Sequence, residues 1–313
     1  MIKREEVYNL YWYFAAERQN IFYKKLNGEE RPWTEDKILQ EYKFCNSYRA
    51  SDRVSQYLIK NVIYNGKEYT NEDLIFRIIL FKIFNKESTW EILCNKLEDV
   101  RLENFSFLRY CNILEEAKNR GEKIYTDAYM SCANKVFGYD KKHENHIALL
   151  EKMFIKDKMQ NKILEASKME EAFNIIKNYE LIGNFMAYQL ITDINYSEVT
   201  NFSEKEFTIA GPGSERGIKK CFVDLEGRSK EDIIKWMCEH QEEEFDRLGI
   251  KFKNLGNRPL QYIDCQNLFC ELDKYCRQAL PELKSNRTKI KKKYIPKTER
   301  IEYRYPPKWN IKL

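Results

Sequence analysis

Residues 264–275 read DCQNLFCELDKY, and the spacing of their side chains decides how the rest of the chain is interpreted. The apolar positions recur every three or four residues, which is the period of an α-helix and not of a strand. The polar residues Asp264, Asn267, Glu271 and Lys274 then share one face over three turns. Such a face is either solvated, with intrahelical ion pairs each contributing about 0.3–0.5 kcal/mol, or it brings an amide, a carboxylate and an ammonium group to a cleft where a nucleobase could be handled.

The same period extends over most of the chain. Eleven glycines and seven prolines in 313 residues leave few interruptions, so we expect an all-α fold with any strands short and peripheral. Helices are predicted at 5–25, from Glu35 to about residue 60 with a break, after Asn71, Ser88 and Ser106, at 146–179 with a break near Asp157, through Ile194, at 231–248 and at 260–280. A polar run at 141–145 is the best internal boundary, which gives helical subdomains at 1–140 and 141–283 and a basic tail at 284–313.

Two further helices carry ordered polar residues. Arg49, Asp52, Arg53 and Gln56 step by three, one and three, so they share one helical face. Gln189 and Asp193 lie four residues apart, behind Tyr188. We include Arg49, Asp52, Arg53, Tyr188, Gln189 and Asp193 among the candidate site residues.

The strongest local signal is the glycine-rich segment AGPGSERGIKK at residues 210–220. Gly211 and Gly213 concentrate backbone freedom where an anion could meet exposed amide groups, and Arg216, Lys219 and Lys220 add positive charge. A loop that binds phosphate fits this pattern, and a plain turn between helices is the alternative. The segment is not a Walker A loop, which requires Gly-Lys-Ser/Thr four residues after a first glycine, so we do not expect a P-loop kinase.

Residues 181–187, LIGNFMA, lie between two predicted helices and have the length of a helix-hairpin-helix turn. Such a turn can present backbone amides to a DNA phosphate. The second glycine of that hairpin is missing here, so an ordinary helical hairpin is the favoured interpretation.

Composition excludes several classes of protein. Nine scattered cysteines without a CxxC pair and three histidines argue against a zinc or iron–sulfur site, and we predict neither metal nor cofactor. No apolar stretch is long enough to span a membrane and the N-terminus lacks a signal peptide, so we expect a cytoplasmic protein. Seven of the basic residues lie within residues 284–297, and without them the net charge of +5 becomes −2. That segment either neutralises phosphates or is a solvated tail.

Several of these strings together resemble the alpha-glutamyl/putrescinyl thymine pyrophosphorylase family, or amino acid:DNA transferases, and the related helical domain of 5-hydroxymethyluracil DNA kinases. They are YWYFAAERQNIF at 11–22, PWT at 32–34, YRASDRVSQYL at 48–58, GPG at 211–213 and DCQNLFCELDKY at 264–275. The resemblance runs from about Tyr8 to Arg277. It implies an all-helical fold distantly similar to helix-hairpin-helix DNA glycosylases, and a role in hypermodification of thymine in phage-type DNA.

The implied reaction is displacement of pyrophosphate from 5-pyrophosphoryloxymethyluracil in DNA by an amine or amino acid, after a separate kinase has acted. Its partners are DNA, the amine and that 5-hydroxymethyluracil DNA kinase. On residue chemistry, Glu271 would deprotonate the amine, Asn267 would contact a uracil edge and Lys274 would keep Glu271 ionised or neutralise phosphate. The glycine-rich segment with Arg216 would hold pyrophosphate. Asp127, where a small neutral residue is expected, could alter the choice of substrate.

Two alternatives remain at this point. A glycosylase of the same broad fold would excise the base, with Asp193 or Glu271 as acid or base. A DNA-binding module without activity of its own would recruit a kinase partner, and its polar faces would only contact the DNA backbone.

Overall fold

The computed structural model describes residues 1–126, 132–283, 285–290, 292–296 and 301–313. Helices dominate these ranges, with a two-stranded antiparallel pair as the only sheet formed by the described residues, so the predicted all-α class is confirmed. Short 3₁₀ segments lie at Arg49–Ser51 and Pro307–Trp309, and π-helical segments at Leu58–Ile63 and Glu151–Lys156. The other elements, in chain order, are β1 (Ile2–Lys3), α1 (Glu5–Leu26), α2 (Lys37–Glu41), α3 (Arg53–Tyr57), α4 (Asn71–Phe84), α5 (Glu87–Leu97), α6 (Phe107–Asn119), α7 (Lys142–Leu150), α8 (Met159–Glu165), α9 (Met169–Lys177), α10 (Asn184–Ile194), α11 (Pro212–Cys221), β2 (Phe222–Asp224), α12 (Lys230–Glu239), α13 (Gln241–Arg247) and α14 (Tyr262–Ala279).

The chain forms two compact units. Unit 1 comprises Met1–Asp52, Glu204–Tyr303 and Trp309–Leu313, and unit 2 comprises Arg53–Ser203 and Arg304–Lys308. Unit 1 is therefore assembled from both ends of the sequence. The boundary expected between residues 140 and 141 falls inside unit 2, and the described part of the expected tail is divided between the two units.

Unit 1 is built around α1 and α14. Trp12, Tyr11 and Phe14 of α1 are fully buried. The Tyr11 hydroxyl donates a hydrogen bond to the Cys265 carbonyl of α14 at 3.2 Å, and its ring lies 4.6 Å from that of Phe269. Large aromatic side chains thus pack between the two helices.

The segment predicted as a glycine-rich loop is the helix α11, so that expectation is wrong. Pro212 occupies its first turn, where a missing N–H costs nothing. Gly213 and Gly217 lie one turn apart against α14: a Cβ on Gly213 would lie 2.2 Å from the Cys270 sulfur, and one on Gly217 would lie 2.0 Å from the Phe269 carbonyl oxygen. These two glycines allow the helix backbones to approach closely, which explains them without a ligand.

Unit 2 has α4 at its centre. Most of α4 is buried, and a capping box between Thr70 and Asp73 begins the helix one residue before the predicted cap at Asn71. Arg77 is 1% exposed, and it donates to the carbonyls of Val62 and Val100 at 3.1 and 2.7 Å. A buried charged side chain is tolerated here because backbone carbonyls accept its hydrogen bonds and the Asp99 carboxylate pairs with it at 3.2 Å.

Three predicted helices are interrupted. The helix expected at 231–248 divides at His240 into α12 and α13. The helix expected from residue 35 to 60 consists of α2, the 3₁₀ turn at Arg49–Ser51, and α3 with its π-helical extension. The helix expected at 146–179 divides into α7, the π-helical segment at Glu151–Lys156, α8 and α9. The polar run expected as a boundary lies mostly within α7, which begins at Lys142.

α9 and α10 pack together as a helical hairpin, and α10 begins at Asn184 with Gly183 as its N-cap. None of the described helices has the length and apolar character required to cross a bilayer.

Candidate active site

The polar face of α14 is largely buried, so its interpretation as a solvated face is wrong. Asp264 is 4% exposed and Glu271 6% exposed, whereas Asn267 and Lys274 are half-buried. Asp264 accepts hydrogen bonds from the backbone N–H groups of Arg49 and Gln261 at 2.8 and 3.0 Å. Burial raises the pKa of Asp264 to about 6, against the opposing effect of these two bonds. Asp264 therefore anchors the 3₁₀ turn that starts at Arg49.

Glu271 and Asp52 are held by two consecutive backbone amides. The N–H of Cys45 donates to Glu271 Oε2 at 2.8 Å, and the N–H of Asn46 donates to Asp52 Oδ1 at 2.7 Å. Lys274 donates to the same Oε2 of Glu271 at 2.6 Å. Two carboxylates and an ammonium group thus converge on one extended stretch of unit 1, which we call the carboxylate pair site: Cys45, Asn46, Asp52, Glu271 and Lys274.

Arg18 of α1 fixes this stretch from the core side. It is 6% exposed, and it donates to the Cys45 carbonyl at 2.9 Å and to Asn46 Oδ1 at 3.0 Å. Sequence analysis missed Arg18, although a signal was present: it lies four residues from both Phe14 and Phe22, on the apolar face of α1. A charge on such a face indicates a buried polar partner.

The site shifts the pKa values of its own groups. Burial raises the pKa of Asp52 to about 6, opposed by the Asn46 amide, and the neighbouring Glu271 carboxylate adds to the rise. Burial lowers the pKa of Lys274, but the Glu271 carboxylate together with the Cys45 and Cys270 thiols outweighs it, so the pKa of Lys274 is raised overall. The pair site therefore combines an ammonium group that stays charged at neutral pH with an aspartate that titrates just below it.

Asn267 lies one helical turn before Glu271. Its side chain is half-buried and makes no hydrogen bond to any residue in the described part of the chain. A primary amide has one acceptor and two donor positions. Asn267 thus offers both kinds of hydrogen-bonding group beside the carboxylate pair site.

The cations of α11 already have a protein partner. Arg216 and Lys220 contact the carboxylate of Asp273 at 3.0 and 3.1 Å, and Arg277 contacts it at 2.5 Å. Asp273 is fully buried, and the three cations keep its pKa below the ordinary value despite that burial. Lys219, in contrast, is exposed. An anion-binding role for the segment stays a prediction. The negative charge of Asp273 would oppose the binding of an anion by Arg216 and Lys220.

The remaining predicted residues belong to unit 2. Arg53 pairs with Glu87 at 3.2 Å. Tyr188, Gln189 and Asp193 are buried on α10, and Asp193 forms an ion pair with Lys82 of α4 at 3.0 Å. The sequence signal for this pair is the lysine that interrupts an apolar run at residues 74–84. Asp127 lies outside the described residues.

No group of three or more histidine, cysteine, aspartate or glutamate side chains is arranged to hold a metal ion within the described ranges. The carboxylates of the pair site are occupied instead by an ammonium group and backbone amides. The site so built suits proton transfer and hydrogen bonding.

Comparison with known proteins gives two matches. A family model described as the helical domain of 5-hmdU DNA kinase matches residues 5–285. The protein described as "5-hmdU DNA kinase" from Bacillus phage SP10 is 26% identical over 325 aligned positions, which cover 96% of this chain and 50% of that protein. The chain thus spans about half the length of this relative. No solved structure matches.

Proposed function

Because the chain belongs to the family of the 5-hmdU DNA kinase helical domain, we propose that it takes part in the hypermodification of thymine in DNA, as a transferase. The substrate is 5-pyrophosphoryloxymethyluracil within a DNA strand, and an amine or amino acid is the second substrate. The resemblance to amino acid:DNA transferases supports this reaction. The base in the name of the matched kinase, 5-hmdU, and the base of the proposed substrate also share one chemical feature: both are uracils substituted at the 5-methyl carbon.

The reaction forms one bond and breaks another. The amine nitrogen bonds to the 5-methylene carbon, the carbon–oxygen bond to pyrophosphate breaks with its electron pair on oxygen, and one proton leaves the nitrogen. A carboxylate within reach of that nitrogen accepts the proton. The base must be turned out of the helix stack to bring its 5-substituent to a protein side chain.

The carboxylate pair site is the observation that carries this proposal. Glu271 Oε2 is occupied by Lys274 and the Cys45 amide, whereas its Oε1 makes no hydrogen bond to the described residues. That oxygen is the proposed proton acceptor, and Lys274 keeps the carboxylate in place. Asp52, whose pKa lies near 6, is a second acceptor in the same site.

Asn267 is the proposed contact to the base. Uracil presents an N–H donor between two carbonyl acceptors, and the amide of Asn267 can pair with one donor and one acceptor along that edge. Its half-buried position one turn from Glu271 supports a contact beside the proposed proton acceptor. Arg49 and Asp264 then act through the backbone, because they hold the turn that leads to Asp52.

The pyrophosphate would meet the first turn of α11, which begins after Gly211. Helix N-termini offer N–H groups without intrahelical partners, and these favour anions. In this proposal the exposed Lys219 adds charge, whereas Arg216 and Lys220 are shared with Asp273.

The direct test supplies the protein with DNA that contains 5-pyrophosphoryloxymethyluracil and with a panel of amino acids and polyamines. We expect release of pyrophosphate and a base whose mass has increased by that of the amine. The variant Glu271→Gln should lose activity by a factor of about a hundred or more, whereas Glu282→Gln, which changes an exposed carboxylate, should not. Absence of a mass shift with every amine would refute the transferase.

One observation favours a second candidate function. The chain corresponds to only half of the phage kinase that it resembles. It could therefore supply DNA recognition to a kinase without chemistry of its own. In that case Glu271→Gln leaves the activity of the assembled kinase unchanged, and formation of abasic sites in the same assay would indicate a glycosylase instead.

A further inference from the structure

Unit 1 contains a second cluster of cations, at the C-terminal end of α1. It consists of Lys24 and Lys25 in the last turn of the helix and Arg31 just beyond it, together with the rings of Trp33 and Tyr294; we call it the cation cluster. Arg31 is exposed and the other four side chains are half-buried.

Among the residues that the structure describes, uncharged groups hold these cations. The Lys25 ammonium lies 4.6 Å from the ring centroids of both Trp33 and Tyr294, and it donates to the Tyr294 hydroxyl at 3.2 Å. The Arg31 guanidinium lies 5.3 and 5.4 Å from the same two centroids. Lys24 donates to the Trp33 carbonyl at 2.9 Å. Cation–π contacts and carbonyl groups position a cation but leave its charge uncompensated.

No carboxylate of the described residues forms an ion pair with Lys24, Lys25 or Arg31. The contrast with α11 is direct, because there Arg216 and Lys220 share the carboxylate of Asp273. Within the described part of unit 1, carboxylates thus neutralise one group of cations and do not pair with the other.

The positive charges of the cation cluster repel one another. Burial, together with the charges of Arg18 and Arg31, lowers the pKa of Lys25 to about 7. An anion that entered the cluster would offset this repulsion, since an opposite charge favours the protonated form.

The basic segment near the C-terminus completes the cluster. The N–H of Tyr294 donates to the Glu41 carbonyl at 2.8 Å, and the N–H of Lys43 donates to the Lys292 carbonyl at 3.1 Å. Tyr42 and Lys293 form the antiparallel bridge between these two strand-like stretches. The described part of this segment is therefore docked on unit 1, and it carries one of the two rings that hold Lys25.

We propose that the cation cluster binds a phosphate group of the DNA strand that carries the modified base. This inference rests on the proposed function for its choice of ligand, and it assigns a DNA contact to residues 24–33 and 294. Lysine and arginine form charge-assisted hydrogen bonds to phosphate oxygens. The rings of Trp33 and Tyr294 hold Lys25 and Arg31, and the Trp33 carbonyl holds Lys24 beside them. Free pyrophosphate shares this chemistry, so the experiment separates the two sources.

Binding of unmodified, fluorescently labelled DNA is measured by anisotropy at several salt concentrations, without amine or pyrophosphorylated base. We expect Lys25→Gln and Arg31→Gln each to weaken binding about tenfold and to reduce the slope of log K against log salt by about one. Lys37→Gln removes an exposed charge from α2 and should change neither quantity appreciably. Trp33→Leu should weaken binding although no charge is lost, and Arg31→Lys should retain more affinity than Arg31→Gln.

Unchanged DNA affinity in Lys25→Gln and Arg31→Gln would overturn the proposal. The proposal would also be overturned if these variants lost affinity for inorganic pyrophosphate in a competition assay but kept their affinity for DNA. The cluster would then bind the leaving group and not the DNA strand. If the wild-type protein transfers no amine but the variants still bind DNA more weakly than the wild type, the transferase is refuted and the cation cluster remains a DNA contact. Circular dichroism and thermal unfolding confirm that each variant is folded.

Discussion

Gly217 of α11 lies directly against the backbone of Phe269 in α14, so closely that a Cβ atom would lie 2.0 Å from the Phe269 carbonyl oxygen. The contact is between two backbones, and neither can move aside without shifting a helix. The close approach of α11 and α14 therefore depends on the absence of a side chain at this position.

Replacing Gly217 with alanine should destabilise the protein. Alanine would favour the helix by about 1 kcal/mol, but forcing the two helices apart costs more, and we expect a net loss of about 2 kcal/mol or more. Urea unfolding measures this difference. Gly183→Ala is the control, because nothing lies within 4 Å of a Cβ there, and its loss should not exceed about 1 kcal/mol. A more stable Gly217→Ala would contradict the helix contact.

Asp52 should make stability depend on pH. Its pKa is about 6 in the folded protein, against an ordinary value of 3.8, so between these values the folded state binds more protons than the unfolded state. The contribution of Asp52 to the free energy of unfolding is therefore present in full below pH 3.8 and decreases as the pH rises to about 6. Relative to the wild type, Asp52→Asn should gain on the order of 2 kcal/mol between pH 4 and pH 7.

Urea unfolding of both proteins at several pH values checks this expectation. The similar rise at Asp264 is present in both proteins and cancels in the comparison. Parallel stability curves for wild type and Asp52→Asn would show that the carboxyl group at position 52 titrates normally.

Asp273→Asn should be strongly destabilising. The substitution leaves Arg216, Lys220 and Arg277 around a buried neutral amide, and removing one partner from a buried ionic network typically costs about 3–5 kcal/mol. Thermal and urea unfolding give the size of the loss. A fold that tolerates Asp273→Asn and at the same time binds pyrophosphate more tightly would show that these cations serve an external anion.

Asn267→Ala should separate function from stability. Because the side chain makes no hydrogen bond to the described residues, we expect the free energy of unfolding to change by no more than about 0.5 kcal/mol. The loss of a base contact should reduce kcat/KM for modified DNA at least about tenfold. Gln278→Ala, an exposed position on the same helix, is the matched control. Equal kinetics for the two variants would remove Asn267 from the site.

Local signals in the sequence predicted most of the helices. The ends of α1 and α14 agree with prediction within two residues, and Ser106 and Ser229 cap α6 and α12 as expected. These features depend on spacing and capping over a few neighbouring residues, which a sequence displays directly.

The sequence-based predictions fail where contacts with residues distant in the sequence determine the local structure. The break expected between Glu35 and residue 60 could not be located from the sequence. It includes residues 45 and 46, because the amides of Cys45 and Asn46 donate to Glu271 and Asp52 instead of to the carbonyls of a preceding turn. Glu271 is 226 positions away from Cys45. The glycines of α11 were predicted to lie in a loop for a similar reason, since the helix that they contact cannot be identified from their own neighbourhood.

The site was predicted in part. The polar face of α14 was recognised by its period, and Asp52 by its neighbours. Arg18 and the amide of Cys45 were missed, because one is a single charge within an apolar face and the other is a backbone group without any signal in the sequence. Asp193 and Glu271, considered together as acid or base candidates, belong to different units.

The docking of residues 292–294 on residues 41–43 determines where the folded body of unit 1 ends. A protein truncated after α14, the last long helix, would lack the Tyr294 ring beside Lys25, the Tyr303 ring that packs 4.9 Å from Phe22, and the Trp309 ring 3.8 Å from the Arg258 guanidinium. Such a fragment would expose the Phe22 ring of α1 and remove the aromatic partners of Lys25 and Arg258. Truncated variants should therefore retain Tyr294, Tyr303 and Trp309, because these side chains pack on the folded body of unit 1.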